Sequence, residues 1–522
     1  MKKTRFLALL LCLMLLGSTA LAEASVTAGM MAGINTERYP VSSEPVTYTA
    51  MMANNFIVGD PNESMPLFQL FTEITGVKFD WTVISTADLE TQKALILASG
   101  ELPDVSFGVF NDNDLLAYGP LGMFLPYENY IDSHMPNLKY TSEVMSPDLR
   151  TSLTFPDGHV YSLPKLGAPN VPSTALAYVN QIWLDELGLE MPTTTDELFD
   201  VLVAFKENAG KGSIPQNVIP LGINMKKVGW NEAMYAWFGV TTGTFIKDGI
   251  ANYSPYNDGW KEMVKWLNKC WNAGLMDIEM FTQDDATFMA KGQEGLYGAF
   301  PTYSAMQVTT QDQYDNYSLI PALNGGAVHQ RPRGNYTVLN CGVVSASVEN
   351  PELLMAALDI FYDTDFGFQA IWGPFGIMTE IDAEGNYKYM DNIPPAGYST
   401  LEEWSRTFHW NALPSSIDYT SKHDSLLVSY DRLMQYAVAE LYEGHWINEP
   451  MIYCFQTPEE SETLNGYLTD LNKYADENFA LWVTGEKDVE ADWDSYKAQL
   501  EKMSVKEYIA AYQAFYDRVM GE

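Results

Sequence analysis

Hydrophobic and polar positions follow two different periods near the start of the chain. Residues 46–50 and 77–83 alternate with the period of two that is typical of strands. Residues 66–75 and 89–98 repeat their apolar positions at helical spacing, and a short apolar strand is predicted over 103–109. The order strand, helix, strand, helix, strand predicts an α/β layer with parallel strands.

Further helices are predicted downstream from apolar spacing and from residues that favour helix ends. A threonine in the run 193–195 precedes an acidic first turn, which suits the positive end of the helix dipole. A second helix is predicted over 259–273, and a third begins at Pro351, where proline costs no hydrogen bond, and runs to about residue 362. From 459 to 518 the chain is predicted to be largely helical.

The first 22 residues have the pattern of a signal peptide. Three basic residues precede the apolar run 6–16, and small residues around Ala22 form a cleavage site. A membrane anchor is the alternative, but the run is shorter than the roughly 20 residues that span a bilayer. We therefore expect export with cleavage near Ala22, and a secreted or cell-surface associated protein.

The residues before and after this cleavage site predict how the mature chain begins and whether it carries a lipid. Cys12 lies inside the apolar run after Leu11, so no lipobox is recognised. Residues 23–45 are small and polar with no sustained period, which predicts a flexible leader.

Length and charge exclude several classes of protein. The chain has 522 residues, with 30 Lys and Arg against 68 Asp and Glu, and a formal net charge of −38. At roughly 100–200 residues per domain, this length predicts two to four compact units. Only 19% of residues are charged and 13% are aromatic, which excludes intrinsic disorder. So negative a surface repels polyanions, which argues against nucleic acid, polyanionic sugars and anionic lipid as partners.

Metal, nucleotide and nucleophile motifs are not found in the sequence. The six histidines include no HExxH pair, no CxxC occurs, and neither a phosphate-binding loop nor a G-x-S-x-G elbow is complete. Only Cys270, Cys341 and Cys454 remain after export, so at most one disulfide can form. Cys270 lies on an apolar helix face, and core packing is its expected role.

Aromatic residues cluster in loop-like surroundings, for example around Trp230, Trp372 and Trp410. An aromatic ring covers the apolar face of a sugar while polar side chains bond its hydroxyl groups, so affinity needs no charge on the ligand. The alternative for any one of these tryptophans is a place in the protein core.

Several strings, in matching order, resemble the extracellular solute-binding proteins of family 1. These are sugar-binding subunits of ABC importers, and the resemblance is to the long oligosaccharide-binding branch of Gram-positive bacteria. The strings span almost the whole chain, and the most specific ones lie at 94–105, 118–127, 157–164 and 178–189. The resemblance implies a protein that captures an oligosaccharide, or another polar solute, in an interlobe cleft and delivers it to a permease.

The resemblance also implies the fold and its division. We expect an α/β, two-lobed, periplasmic-binding-protein-like clamp of type II with hinge crossings and a helical C-terminal region. Lobe 1 is expected over 46–175 plus 340–395, and lobe 2 over 176–339 plus 396–522, including the C-terminal helices. A single-chain clamp needs no second copy, so a monomer is expected, without cofactor or catalytic residues.

Nine residues are predicted to contact the ligand on this basis. Asn55 follows the first strand and Asp104 follows a Leu-Pro turn, where such folds place ligand groups at strand ends. Arg333 is a third polar candidate, with a surface salt bridge as the equal alternative. The expected stacking or wall groups are Trp230, Trp237, Tyr303, Trp372, Phe375 and Trp410.

The chain departs from the family pattern at one loop. Members of this branch often carry a calcium loop where this chain has residues 206–217, which lack the acidic ligands, so we predict no calcium there.

Two other functions remain as alternatives. One is a secreted glycoside hydrolase, because carboxylates are abundant. The other is a ligand-sensing surface protein, and the sequence does not separate it from an importer subunit.

Overall fold

The computed structural model describes most of the chain. Described are residues 29–54, 60–146, 149–166, 175–310, 312–326, 328–329, 337–383, 385–390, 404, 413–416, 441–442, 444–447 and 454–521. By internal contacts the described residues fall into two compact units. The first unit takes those of 1–169, 334–398 and 402–429, and the second those of 170–333, 399–401 and 430–522.

The strands in chain order are β1 (Val46–Ala53), β2 (Val77–Ile84), β3 (Val105–Phe107), β4 (Leu163–Leu166), β5 (Leu176–Asn180), β6 (Ile219–Leu221), β7 (Thr244–Lys247), β8 (Ile250–Tyr253), β9 (Tyr297–Thr302), β10 (Tyr317–Leu319), β11 (Val328–His329), β12 (Thr337–Val344), β13 (Thr379–Ile381), β14 (Tyr387–Tyr389) and β15 (Trp446–Ile447).

The α-helices in chain order are α1 (Pro61–Ser64), α2 (Pro66–Thr75), α3 (Leu89–Ser99), α4 (Asp112–Tyr118), α5 (Glu128–His134), α6 (Pro136–Tyr140), α7 (Leu149–Leu153), α8 (Gln181–Leu187), α9 (Thr195–Glu207), α10 (Glu232–Ala236), α11 (Asp258–Asn272), α12 (Asp285–Gln293), α13 (Pro351–Leu358), α14 (Thr364–Trp372), α15 (Pro458–Val483), α16 (Val489–Lys502) and α17 (Val505–Met520). Shorter helical turns join some of them, and the 3-10 turn Val228–Asn231 is the one that matters for the site.

The first unit contains a five-stranded sheet in the order β2-β1-β3-β12-β4. Strand β1 pairs in parallel with β2 and β3, while β12 is antiparallel to β3 and β4. The predicted strand-helix alternation over the first three strands is therefore confirmed. Helix α2 has the predicted bounds because Pro66 suits a first turn and Gly76, with φ of 74°, closes the last one.

The described part of the predicted leader, residues 29–45, is packed against the first unit, in contrast to the flexible segment expected over 23–45. We call residues 29–45 the N-terminal strap. Arg38 donates to the buried Asp359 carboxylate at 2.9 Å, and Gln369 donates to the carbonyl of Met30 at 2.9 Å. Met30 and Ile34 of the strap are also buried. The sequence pattern misses this packing because the apolar positions are few and the hydrogen bonds join residues 321 and 339 positions apart.

A short segment late in the chain also belongs to the first unit. Ser415 is fully buried, its carbonyl accepts from the Leu166 N–H at 2.8 Å, and its own N–H donates to Pro164. The expected division assigned all of 396–522 to the second lobe, so the structure differs for residues 413–416. Backbone pairing at the edge of β4 explains the difference, since it depends on no side-chain pattern.

The second unit contains a four-stranded sheet in the order β10-β5-β9-β6. Strand β5 is antiparallel to β9 and β10, while β6 runs parallel to β9. Close packing at this pair requires glycine, because a Cβ on Gly222 would lie 2.5 Å from the ring of Tyr297. Because β6 and β9 are parallel, their carboxyl ends meet at one edge of the sheet.

The C-terminal helices α15, α16 and α17 complete the core of the second unit, which confirms the largely helical region predicted there. The ring of Trp260 on α11 stacks on Tyr496 with centroids 6.0 Å apart and planes 9° from parallel. Trp482 packs its edge against the same tyrosine at 4.9 Å. Cys270 is fully buried in this core, as predicted, and carries a free thiol.

Helix α9 shows why the threonine run predicts a helix start. The Thr194 hydroxyl accepts from the Glu197 N–H, and the Glu197 carboxylate accepts in return from the Thr194 N–H. This reciprocal pair satisfies two N–H groups that a helix start leaves open. In the described part of the chain, no helix combines the length and the hydropathy needed to cross a bilayer.

Substitution of Arg38 tests whether the N-terminal strap is held by its ion pair. Burial raises the pKa of the Asp359 carboxyl, and Arg38 opposes that shift. Arg38→Met leaves the carboxylate with backbone donors only, so we expect the free energy of unfolding at neutral pH to fall by about 1.5–3 kcal/mol. Urea denaturation measures this change.

The loss in Arg38→Met should shrink as the pH falls through the pKa of Asp359, because the neutral acid needs no counter-charge. Lys265→Met is the control, since Lys265 is 42% exposed and pairs with surface glutamates. Equal losses in the two variants would contradict a stabilising role for the strap.

Candidate ligand-binding site

The structure describes six of the nine predicted ligand contacts. Asn55, Arg333 and Trp410 lie outside the described residues. Asp104, Trp372 and Phe375 belong to the first unit, and the second unit contains Trp230, Trp237 and Tyr303.

Trp230 and Tyr303 lie close together at the carboxyl edge of the parallel pair β6 and β9. Tyr303 directly follows β9, and Trp230 stands in the 3-10 turn that begins seven residues after β6. A Cβ on Gly229 would lie 3.6 Å from the Tyr303 hydroxyl, which places the two segments side by side. Both aromatic side chains are partly exposed. This edge is where α/β sheets commonly bind their ligands.

Polar residues surround the Trp230 ring. The Lys227 ammonium lies 5.9 Å from the ring centroid and forms an ion pair with Asp285 at 2.8 Å. The buried Asn224 donates to the other oxygen of the same carboxylate at 3.1 Å. On its inner side the ring packs against Phe288, with centroids 6.0 Å apart. Together these groups present an aromatic face with donors and acceptors at its rim.

The sequence reading missed Asn224, Lys227 and Asp285. Asp285 is the first residue of α12, and its approach to Trp230 depends on how α12 packs beside the sheet. The one signal near them in the sequence is the run Asn224 to Asn231, which mixes polar residues with glycine directly after a strand.

Asn231 holds the turn that carries Trp230. Its side chain is fully buried, and its amide donates to the carbonyls of Asn224 at 3.1 Å and Lys227 at 3.3 Å. Its Oδ1 has no hydrogen-bond partner among the described residues. The two donated bonds fix the turn, and with it the direction of the neighbouring indole.

Trp237 lies in the core of the second unit. It is 4% exposed and packs its edge against Trp266 with centroids 6.1 Å apart. The carbonyl of Trp237 accepts from Asn324. This burial favours a structural role, which sequence spacing does not distinguish from ligand contact.

Asp104 directly precedes β3, after the Leu-Pro turn at which the sequence predicts a ligand contact. Its carboxylate accepts from the N–H and the hydroxyl of Thr49, both at 2.8 Å. The Thr49 hydroxyl accepts in turn from the Asp104 N–H at 2.9 Å. These three bonds join β1 to β3, so the geometry favours a structural role for this carboxylate.

Trp372 and Phe375 belong to one aromatic cluster in the first unit. Phe375 is 2% exposed and stacks on Phe368 and Tyr387 at 5.5 and 5.6 Å. Trp372 is partly exposed and packs its edge near Tyr389 at 6.3 Å. Trp372 therefore remains available to a ligand, while Phe375 supports the cluster from inside.

The loop at 206–217 does not suit a calcium ion. The Lys211 ammonium bonds to the Asn208 side-chain oxygen at 2.9 Å, so a cation of the protein itself already lies there. The Glu186 carboxylate accepts from the N–H and hydroxyl of Ser213. Among the described residues, no group of three or more His, Cys, Asp or Glu side chains could hold a metal.

Comparison with protein families assigns the class. Residues 67–361 match the family of bacterial extracellular solute-binding proteins. The chain belongs to this family, whose members bind solutes for ABC importers, and it is a binding protein rather than an enzyme.

Among individual relatives, the chain is similar to the fructooligosaccharide ABC transporter substrate-binding protein FusA of Streptococcus pneumoniae. The two are 30% identical over 486 residues, which cover 88% of each chain. Lipoprotein LipO of Bacillus subtilis is 22% identical over 422 residues, or 76% of this chain and 74% of LipO.

A solved structure of FusA in complex with kestose has a TM-score of 0.76 and 27% identity, and the match covers 91% of this chain and 99% of that chain. An HMO-binding, ABC-transporter-associated solute-binding protein from Bifidobacterium longum infantis shares the fold, with a TM-score of 0.72 at 21% identity and coverage of 91% and 99%. The predicted α/β fold of the type II solute-binding proteins is confirmed.

Substitution of Asp104 tests its structural role. Asp104→Ala removes the two bonds from Thr49 to a partly exposed carboxylate, so we expect the free energy of unfolding to fall by about 1–2 kcal/mol. Urea denaturation measures the change, and Glu101→Ala, at an exposed position nearby, should stay within about 0.5 kcal/mol of the native chain. Unchanged stability in Asp104→Ala would argue that the carboxylate is free for another role.

Proposed function

We propose that this protein captures fructooligosaccharides outside the cell and delivers them to the permease of an ABC importer. The observation that carries the proposal is the pair Trp230 and Tyr303, two partly exposed aromatic residues at the carboxyl edge of β6 and β9. The similarity to FusA over most of both chains supports the choice of ligand.

The charges around Trp230 favour an uncharged ligand. The Lys227 ammonium is already paired with Asp285, and the Lys226 ammonium donates to the carbonyl of Thr282 at 2.5 Å. A uronate sugar would have to compete with Asp285 for Lys227, in a chain whose net charge is −38. A neutral sugar needs only the aromatic face and the hydrogen-bonding rim.

The remaining parts of the proposal follow from the sequence. The chain is exported by its signal peptide, cleaved near Ala22, and works as a monomer. Asn55, Arg333, Trp372 and Trp410 are the further proposed ligand contacts. Trp237, Phe375 and Asp104 are proposed to have structural roles instead.

Calorimetric titration of the mature chain with kestose and nystose tests the function. We expect saturable binding of unchanged sugar, and Trp230→Ala should weaken it by about tenfold or more, since truncation of a central aromatic contact typically costs over 1 kcal/mol. Trp271→Ala is the matched control, because Trp271 is also partly exposed but lies on α11, whereas Trp230 lies in the turn after β6.

Two results would contradict this function. One is a native chain that binds no fructooligosaccharide but binds another class of solute. The other is equal affinity in Trp230→Ala and the native chain, with both variants folded by circular dichroism.

A second variant tests the site by filling space instead of removing a contact. A Cβ added at Gly229 would have no described neighbour within 4 Å except the Tyr303 hydroxyl, and the φ of Gly229 is not in the left-handed region. Gly229→Val should therefore fold and place methyl groups beside Tyr303. We expect kestose binding to weaken by about tenfold or more, since one poorly accommodated methylene already costs about 1–3 kcal/mol and valine adds a whole isopropyl group. Native affinity in this folded variant would show that the sugar lies elsewhere.

A further inference from the structure

A partly buried lysine on α12 connects two segments near the candidate site. The Lys291 ammonium donates to Asp277 at 2.6 Å, to Glu279 at 2.7 Å and to the side-chain oxygen of Gln283 at 3.1 Å. The Lys291 side chain is 18% exposed and that of Asp277 only 5%. We call this lysine and its three partners the Lys291 cluster.

The Lys291 cluster is bonded to the segment that carries Trp230. Gln283, which is buried, uses its amide to donate to the carbonyl of Ile223 at 2.9 Å. The Met225 N–H donates to the carbonyl of Met280 at 2.9 Å. We call residues 223–231 the Trp230 loop, and its first half thus lies hydrogen-bonded along residues 277–283.

The Lys291 ammonium is a charged partner of the buried Asp277 carboxylate in residues 277–283. Without it, the buried Asp277 carboxylate would keep, among the described residues, the Glu279 N–H as its donor, at 3.0 Å. Burial alone would lower the pKa of Lys291, but the bonds to Asp277 and Glu279 outweigh burial and raise it. The ammonium therefore stays charged across the neutral range.

We propose that Lys291 is a positioning residue for ligand binding, which fixes the Trp230 loop through Gln283. The proposal rests on the proposed function of the same site. A loop held in its binding conformation before the sugar arrives loses less conformational entropy on binding. Lys291 itself touches no ligand, and its effect passes through the backbone of Ile223.

The test uses the mature chain labelled with 5-fluorotryptophan, with the Trp230 signal assigned by Trp230→Phe. In Lys291→Met we expect kestose affinity to fall by about tenfold. We also expect the fluorine signal of Trp230 to shift or broaden in the absence of sugar, while that of Trp493 stays unchanged. Lys265→Met is the control with an exposed ion pair in the same unit.

Lys291→Met strands a buried carboxylate and could unfold, so the double variant Lys291→Met with Asp277→Asn is measured as well. The double variant has no unpaired buried charge, but the hydrogen bond to Gln283 is still lost. We therefore expect the same fall in kestose affinity and the same change in the Trp230 fluorine signal. Lys291→Arg should recover part of the affinity.

The two readouts separate the inference from the function on which it rests. If the native chain binds no fructooligosaccharide, the proposed function fails, while a moved Trp230 signal still supports positioning by Lys291. An unmoved Trp230 signal in the folded double variant overturns the inference, whatever the affinity. A moved signal with native kestose affinity also overturns it, because the loop position would then not matter for binding.

Discussion

The parallel pairing of β6 with β9 is the interaction on which the site depends. Ile219 lies opposite Tyr297 in this pair, so both strands run toward the same edge of the sheet. The chain leaves β6 into the Trp230 loop and leaves β9 directly at Tyr303. Two aromatic residues that are 73 positions apart in sequence thereby face one surface. Glycine at 222 is required for this pairing, because any side chain there would collide with the ring of Tyr297.

The two lysines at and behind the site are both paired with carboxylates of the protein. Lys227 pairs with Asp285 at the rim of the site, and Lys291 is enclosed by carboxylates behind it. The exposed face beside them is aromatic and polar. Such a surface suits a ligand that has apolar C–H faces and many hydroxyl groups but no charge.

The sequence predicts elements well where local pattern decides them. The bounds of α2 follow from Pro66 and Gly76, and the start of α9 follows from Thr194. It also predicts Trp230 and Tyr303 as candidates, since both are aromatic residues in loop-like surroundings. The sequence does not show that Trp237 is buried and Trp230 is not. The burial of Trp237 depends on its packing against Trp266 of α11, which the spacing of residues does not reveal.

The parts that the sequence does not predict depend on contacts between distant residues. The N-terminal strap is held by Arg38 and Asp359, which are 321 positions apart. Asp104 follows a Leu-Pro turn that predicts a ligand contact, yet its hydrogen bonds to Thr49 make it a link between strands. The sequence does not predict the Lys291 cluster either, since lysine and acidic residues at these spacings are common on solvated helices.

A crystal structure of the mature chain grown with nystose would show where the sugar lies. We expect density for the sugar with one ring face against the Trp230 indole and a hydroxyl group within hydrogen-bond distance of Tyr303 or the Lys227 and Asp285 pair. Sugar bound with no contact to Trp230, at any place on the second unit, would contradict this expectation.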